Sequence, residues 1–231
     1  MIETELGNLR RSHYSDELNA SMDGSQVTIM GWVLTVRGHG NISFATIKDK
    51  NGNLSIVAKK GDCPDEIREK ISSLKAHSSV GVIGIIKASE KAPSGFEIIP
   101  TELRVFSEVT TIPPFEPTAK TVKNIDTRLE VRPIDLRRNV LQHVFKTRSL
   151  VLKTIRDYFI DQNFIEINTP KMIATATEGG AALFPIFYYN KEAFLAQSPQ
   201  LYKEQLTMSF EKVFEIAPTF RAETSRTTRH L

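Results

Sequence analysis

Arg221, Arg226 and Arg229 fall within nine residues of one another, with His230 beside the last. Guanidinium forks take phosphate oxygens two at a time and an imidazole adds a further donor, so this grouping suits a polyphosphate. A solvated basic loop tip is the other reading of the same residues. The enclosing string, VFEIAPTFRAETSRTTRHL, begins as a strand: Val213, Phe214 and Ile216 are apolar, with Glu215 between them. Pro218 has no N–H to donate and belongs at an edge or a kink. In an extended chain Arg221 and Glu223, two apart, share a face. Residues 224–228 are polar and read as a loop tip.

A second group lies upstream. Glu178 precedes Gly179 and Gly180, where the backbone can approach a ligand closely and a carboxylate can hold a cationic amino group. In FLAQSPQLYK, Ser198 is placed to cap a helix starting at Pro199. Gln200 and Lys203, three apart, then share one helical face. Lys203 offers a fixed positive charge suited to a substrate carboxylate.

These residues need a scaffold, and 231 residues allow one large domain or two small ones. The net charge of +3 is too small to argue for nucleic-acid binding by itself, so local clusters must carry that case. Cys63 is the single cysteine, which excludes an internal disulfide or a cysteine-based zinc cluster and fits a reducing compartment. No leader-like or membrane-spanning apolar run is present, and the protein is expected in the cytoplasm.

After a polar arm (residues 1–19), alternation begins: Val27, Ile29, Gly31, Val33 and Thr35 on one face, Thr28, Met30, Trp32, Leu34 and Val36 on the other. Strands follow at 42–47 and 54–58, joined by an Asn51-Gly52 hairpin turn, then a helix over 64–74 and strands at 80–86 and 96–106. Five strands with a helix between the third and fourth predict an OB-fold barrel, a platform for single-stranded nucleic acid. Phe44 is either core or a stacking ring; Arg37, Lys48 and Lys50 could meet phosphates. Residues 110–138, with Pro113, Pro114 and Pro117, read as an extended linker carrying exposed Lys120 and Lys123. Residues 141–162 form the clearest helix, with Leu141, Val144, Val151, Ile155, Tyr158 and Phe159 in one stripe, followed by a strand over 164–170.

The string from Val213 resembles motif 2 of class II aminoacyl-tRNA synthetases, and FRAE with TTRHL resembles the archaeal and eukaryotic type of aspartyl-tRNA synthetase. The helix and strand ending at Pro170 are similar to motif 1, which builds the family's dimer interface. ATEGG, LFP and SPQLYK point within that family to aspartate. The resemblance implies an α+β protein: an OB-fold anticodon-binding domain over 1–107, a hinge over 108–138 and a partial antiparallel-sheet catalytic domain over 139–231. It implies ATP-dependent activation of L-aspartate and transfer to tRNA(Asp), with tRNA(Asn) open as a second acceptor. It assigns Glu178, Gln200, Lys203 and Arg221 to aspartate, Arg221 to catalysis, and Arg221, Glu223, Arg229, His230 and Leu231 to ATP. Arg37, Phe44 and Pro93 are assigned to the anticodon. Ser55 stands where relatives commonly carry glutamine, which puts base readout there in doubt. Leu34 and Pro93 replace the donors of tRNA(Asp)-selective relatives, an expectation of charging both tRNAs. Ligands for Mg2+ and a second ATP arginine are expected beyond residue 231, so the chain reads as part of a longer enzyme, inactive alone. A non-catalytic tRNA- or partner-binding module is the other reading.

Overall fold

A computed structural model describes residues 5–119, 121, 123–175 and 183–223. Contacts divide the chain into two units, Met1–Arg138 and Asn139–Leu231. The first is built on strands β1 (Gln26–His39), β2 (Ile42–Lys48), β3 (Asn53–Lys59), helix α1 (Asp65–Ser73), β4 (Ser79–Ala88) and β5 (Phe96–Ser107). They close into a barrel in the order β1-β2-β3-β5-β4, antiparallel except where β3 meets β5 at Ile56 and Ile98. Val27, Ile29 and Val33 of β1 fill the interior with Ile47, Leu54, Ile56, Val80, Val82, Ile86 and Ile98, each at most 2% exposed. Ile71 and Leu74, at the end of α1, join that core. At Gly31 the strands run so close that a Cβ would lie 2.4 Å from the Lys48 carbonyl oxygen.

The alternation expected along β1 breaks at one point. Val33 pairs with Ile47 but Thr35 pairs with Thr46, leaving Leu34 as the extra residue of a β-bulge. The bulge exchanges the faces beyond it. Thr35, expected inside, is exposed, whereas Val36, expected outside, packs on the core. Trp32 and Arg37, five apart, therefore both face outward.

Polar anchors fix the segments around the barrel. At the β2–β3 hairpin the Asp49 carboxylate accepts the N–H groups of Asn51 (2.7 Å) and Gly52 (2.9 Å), and both the N–H and hydroxyl of Ser15 at 2.7 Å. Burial alone would raise its pKa, but these hydrogen bonds outweigh it and hold the carboxyl below its ordinary value. The N-terminal arm is thus clamped rather than loose, with two 3-10 turns (Ser15–Glu17, Ala20–Met22) and buried Leu9 and Leu18. Residues 108–138, read from their prolines as extended, carry two short helices, α2 (Ile125–Glu130) and α3 (Arg132–Asp135), and lie in the first unit. Their hub is Asp135, fully buried, which accepts from Arg128 Nε at 2.9 Å and Arg132 Nη1 at 2.6 Å. Desolvation opposes ionisation there, and the two arginines overcome it and lower the pKa. Arg137 lies 4.3 Å from the centroid of the Trp32 ring and joins this segment to β1.

The second unit contains α4 (Asn139–Asp161), β6 (Ile165–Glu166), β7 (Met172–Ile173), β8 (Pro185–Tyr188), β9 (Lys191–Leu195), α5 (Gln200–Phe210) and β10 (Val213–Phe214). The long strands expected at 164–170 and from Val213 are two residues each, β6 and β10, paired in parallel. Beyond them Pro170 and Pro218 cannot donate to a ladder, and the Glu215 side chain takes the Thr169 N–H at 2.8 Å instead. Strands β7, β9 and β8 make an antiparallel sheet. Helix α4 is held at its end, where Phe159 stacks on Phe214 with centroids 5.0 Å apart and meets Phe164 edge-on. None of its 23 residues is buried, and its apolar stripe stays open: Val144 is 58% exposed and Tyr158 63%.

Asp135→Asn should destabilise the first unit by about 1–3 kcal/mol at neutral pH, since it removes charge-assisted hydrogen bonds to the half-buried Arg128 and Arg132. Because the native carboxyl titrates below its unfolded value, the Asp135 contribution is present above about pH 4 and lost as pH falls through the folded pKa. Urea melts followed by the single tryptophan, Trp32, should show wild type and variant converging at low pH. An equal gap at both pH values would refute the charge pairing.

Candidate nucleic-acid interface and amino-acid site

The bulge sets the geometry of the first site. A cleft on the outer surface of β1, β2 and β3 is lined by Thr35, Arg37, His39, Phe44, Thr46 and Ser55 among others. Phe44 projects outward because its neighbours Ser43 and Ala45 take the inner positions, and 39% of it is exposed. It is not core. Arg37 pairs with Phe44 across the ladder, and Ser55 pairs with Thr46. The Thr35 and Thr46 hydroxyls hydrogen-bond at 3.2 Å across the floor. The cleft offers an aromatic face, one exposed guanidinium and small hydroxyls, a combination that stacks a base and holds a phosphate.

The remaining expected RNA contacts distribute differently. Lys48 is buried, 4% exposed, and cannot meet a phosphate in this arrangement; Lys50 instead places its ammonium 4.0 Å from the Tyr14 ring centroid. Pro93 is exposed in the β4–β5 connection and does not line the Phe44 cleft. Leu34, the bulged residue, is half-buried and also lies off it.

In the second unit, the Ser198 hydroxyl accepts the Gln200 N–H at 3.1 Å at the start of α5. Gln200 is exposed and donates to Glu204 at 2.9 Å, while Lys203 is half-buried. The Phe220 N–H donates to the Ala196 carbonyl at 2.9 Å, which sets the segment carrying Arg221 and Glu223 against the chain leading into α5. Arg221 and Glu223 are both exposed. Glu178, Gly179, Gly180, Arg226, Arg229, His230 and Leu231 lie outside the described residues.

Two groups beside these sites escape sequence reading. Gln197 is 1% exposed, immediately before Ser198. Glu215 has a buried side chain that accepts from Thr169 Oγ1 at 2.9 Å and Lys171 Nζ at 2.8 Å. Burial opposes its ionisation, but Lys171 and Thr169 prevail and its pKa is lowered. A single carboxylate within an apolar run was the only signal. Burial pushes the Cys63 thiol up, which disfavours the reactive thiolate. Among the described residues no group of three His, Cys, Asp or Glu could hold a metal ion. No described helix is long and apolar enough to cross a membrane.

Residues 124–231 match the family of class II tRNA synthetases (D, K and N), and residues 27–106 match the OB-fold nucleic acid binding domain. The chain is 48% identical over 227 residues to the aspartate–tRNA(Asp/Asn) ligase of Methanococcus aeolicus, covering 98% of this chain and 52% of that protein. The corresponding ligase of Methanocaldococcus jannaschii is 48% identical over 223 residues, covering 96% and 51%. The chain thus spans about half the length of the curated relatives it matches. Among solved structures, asparaginyl-tRNA synthetase from Pyrococcus horikoshii with asparaginyl-adenylate superposes with a TM-score of 0.86 at 34% identity, over 96% of this chain and 51% of that one. Aspartyl-tRNA synthetase from Entamoeba histolytica gives 0.78 at 28% identity, over 100% and 51%. Fold alone does not separate aspartate from asparagine, while the sequence relatives bear the aspartate name. The chain is thus similar to aspartate–tRNA ligases over an OB-fold domain and the class II synthetase segment that follows it.

Proposed function

We propose that this chain serves an aspartate–tRNA ligase, with the Phe44 cleft receiving the anticodon loop and the second unit carrying part of the aspartate and ATP site. The observation that carries the reading is the outward Phe44 ring, 39% exposed, beside Arg37 in a cleft on the barrel surface. In the reaction the aspartate α-carboxylate attacks the α-phosphorus of ATP and pyrophosphate leaves; a hydroxyl of the tRNA terminus then takes the acyl group from the adenylate and AMP leaves. Such chemistry proceeds through positioning and charge stabilisation. Arg221 would steady the charge developing between carboxylate and phosphate. Lys203, with Gln200 on the same helix, would read the side-chain carboxylate, and Glu178 the α-amino group. Glu223, Arg229, His230 and Leu231 would line the ATP. The relatives named for both tRNA(Asp) and tRNA(Asn), together with donor-free Leu34 and Pro93, support charging of both tRNAs.

The open face of α4 supports a homodimer. A helix of 23 residues with no buried position leaves an apolar stripe that a second copy would cover. Val144→Glu with Val151→Glu should shift the full-length protein from dimer to monomer in sedimentation; an unchanged dimer would place the interface elsewhere.

Phe44→Ala should weaken binding of an aspartate anticodon stem-loop by about 1–3 kcal/mol, the worth of one stacked base. Unchanged binding, with the Trp32 emission still native, would remove Phe44 from the interface. In the full-length protein, Lys203→Met should raise the aspartate requirement about ten- to hundred-fold and narrow the gap to asparagine, as expected for loss of a charge-assisted bond. ATP–pyrophosphate exchange measures both. A preserved preference for aspartate would assign specificity to another residue.

A further inference from the structure

A second cleft opens on the same barrel, lined by Arg11, Tyr14, Met30, Trp32, Asp49 and Lys50 among others. Its character differs from that of the Phe44 cleft. The Arg11 guanidinium lies 4.2 Å from the Tyr14 ring centroid and the Lys50 ammonium 4.0 Å, while Arg137 lies 4.3 Å from that of Trp32. Arg11 and Lys50 line the cleft and both sit on the Tyr14 ring, whereas Arg137 lies outside the lining, so the cleft presents charge at Tyr14 rather than a bare stacking face. Among the described residues none of these three cations is in an ion pair. Asp49, the carboxylate in the lining, already accepts four hydrogen bonds from Ser15, Asn51 and Gly52.

We propose that this cleft seats the sugar–phosphate backbone of RNA nucleotides adjoining the loop bound at Phe44, as a second RNA site on the same barrel. The inference rests on the RNA-binding reading above and adds where the strand runs. Register gives the distance: Phe44 pairs with Arg37, and Lys48 pairs with Trp32, four residues further along β2. Four strand residues span about 13 Å. Stacked nucleotides advance about 3.4 Å each, so the two clefts lie about four nucleotides apart. The bulge at Leu34 puts Trp32 and Arg37 on one face, so a strand leaving Phe44 reaches the second cleft without crossing the barrel. Cations braced on aromatic rings lose less side-chain freedom on meeting a phosphate than free ones.

The salt dependence of binding separates the two clefts. The 231-residue chain would be titrated with an unmodified tRNA(Asp) transcript across a salt series, alongside Lys50→Gln, Arg11→Gln with Lys50→Gln, and Phe44→Ala. Each lost phosphate contact should flatten the slope of log K against log salt by about 0.7, giving about 0.7 for Lys50→Gln and about 1.4 for the double variant. Phe44→Ala should lower affinity and leave the slope unchanged. Lys50 is exposed, so the single variant is readable even where the double variant fails to give native Trp32 emission. An unchanged slope in a folded Lys50→Gln chain overturns the second site and leaves the Phe44 reading standing. A reduced slope together with an inert Phe44→Ala keeps the second site and removes the first, and a wild-type chain that binds no transcript defeats both.

Discussion

Between Val33 and Thr35 the pairing of β1 with β2 slips by one residue, and this slip decides which side chains the barrel shows to solvent. A strand alternates strictly, so residues five apart lie on opposite faces unless the ladder is interrupted. With Leu34 taken out of register, Val33 and Val36 both turn inward to the core, and Thr35 and Arg37 both turn out. The same slip places Trp32 and Arg37 along one outer track. Closure of the barrel demands apolar residues inside throughout β1, and the proposed RNA surface calls for polar and aromatic ones outside. The bulge lets a 14-residue strand satisfy both.

Carboxylates with few accessible faces hold the segments that are not strands. Asp49 draws the arm onto the β2–β3 hairpin, Asp135 gathers the arginines of α2 and α3, and Glu215 ties the chain after β10 to Thr169 and Lys171. Each is held ionised against the cost of burial by donors from a separate stretch of sequence. Loss of one partner leaves a charge with no water to replace it, so these contacts select one arrangement of segments that have little apolar area of their own.

Periodicity made the five strands, α1 and the stripe of α4 legible, because each buries or displays a face at a fixed interval. The Asn51-Gly52 turn was legible from its residue types. The bulge was not, since one inserted residue shifts the phase without altering composition, and the misplaced faces of Thr35 and Val36 follow from it. Lys48 looked like a phosphate ligand because burial of a lysine depends on neighbours distant in sequence. The helices within 108–138 were obscured by prolines that govern only its first part, while Asn124 caps Thr127 further on. The strands β6 and β10 are short because side-chain bonding from Glu215 replaces the ladder, which a run of apolar residues does not reveal. Of the proposed site, Gln200, Lys203 and Arg221 were singled out by motif, whereas the nearby Gln197 and Glu215 carry no local signal beyond a polar type among apolar neighbours.

The central claim is that the outer face of β1 and β2 is the RNA surface, and amide chemical shifts test it most directly. Titrating the 231-residue chain with an aspartate anticodon stem-loop should move Thr35, Arg37, Phe44, Thr46 and Ser55 most. Shifts confined to the β4–β5 connection around Pro93, with Phe44 and Arg37 unmoved, would contradict the account.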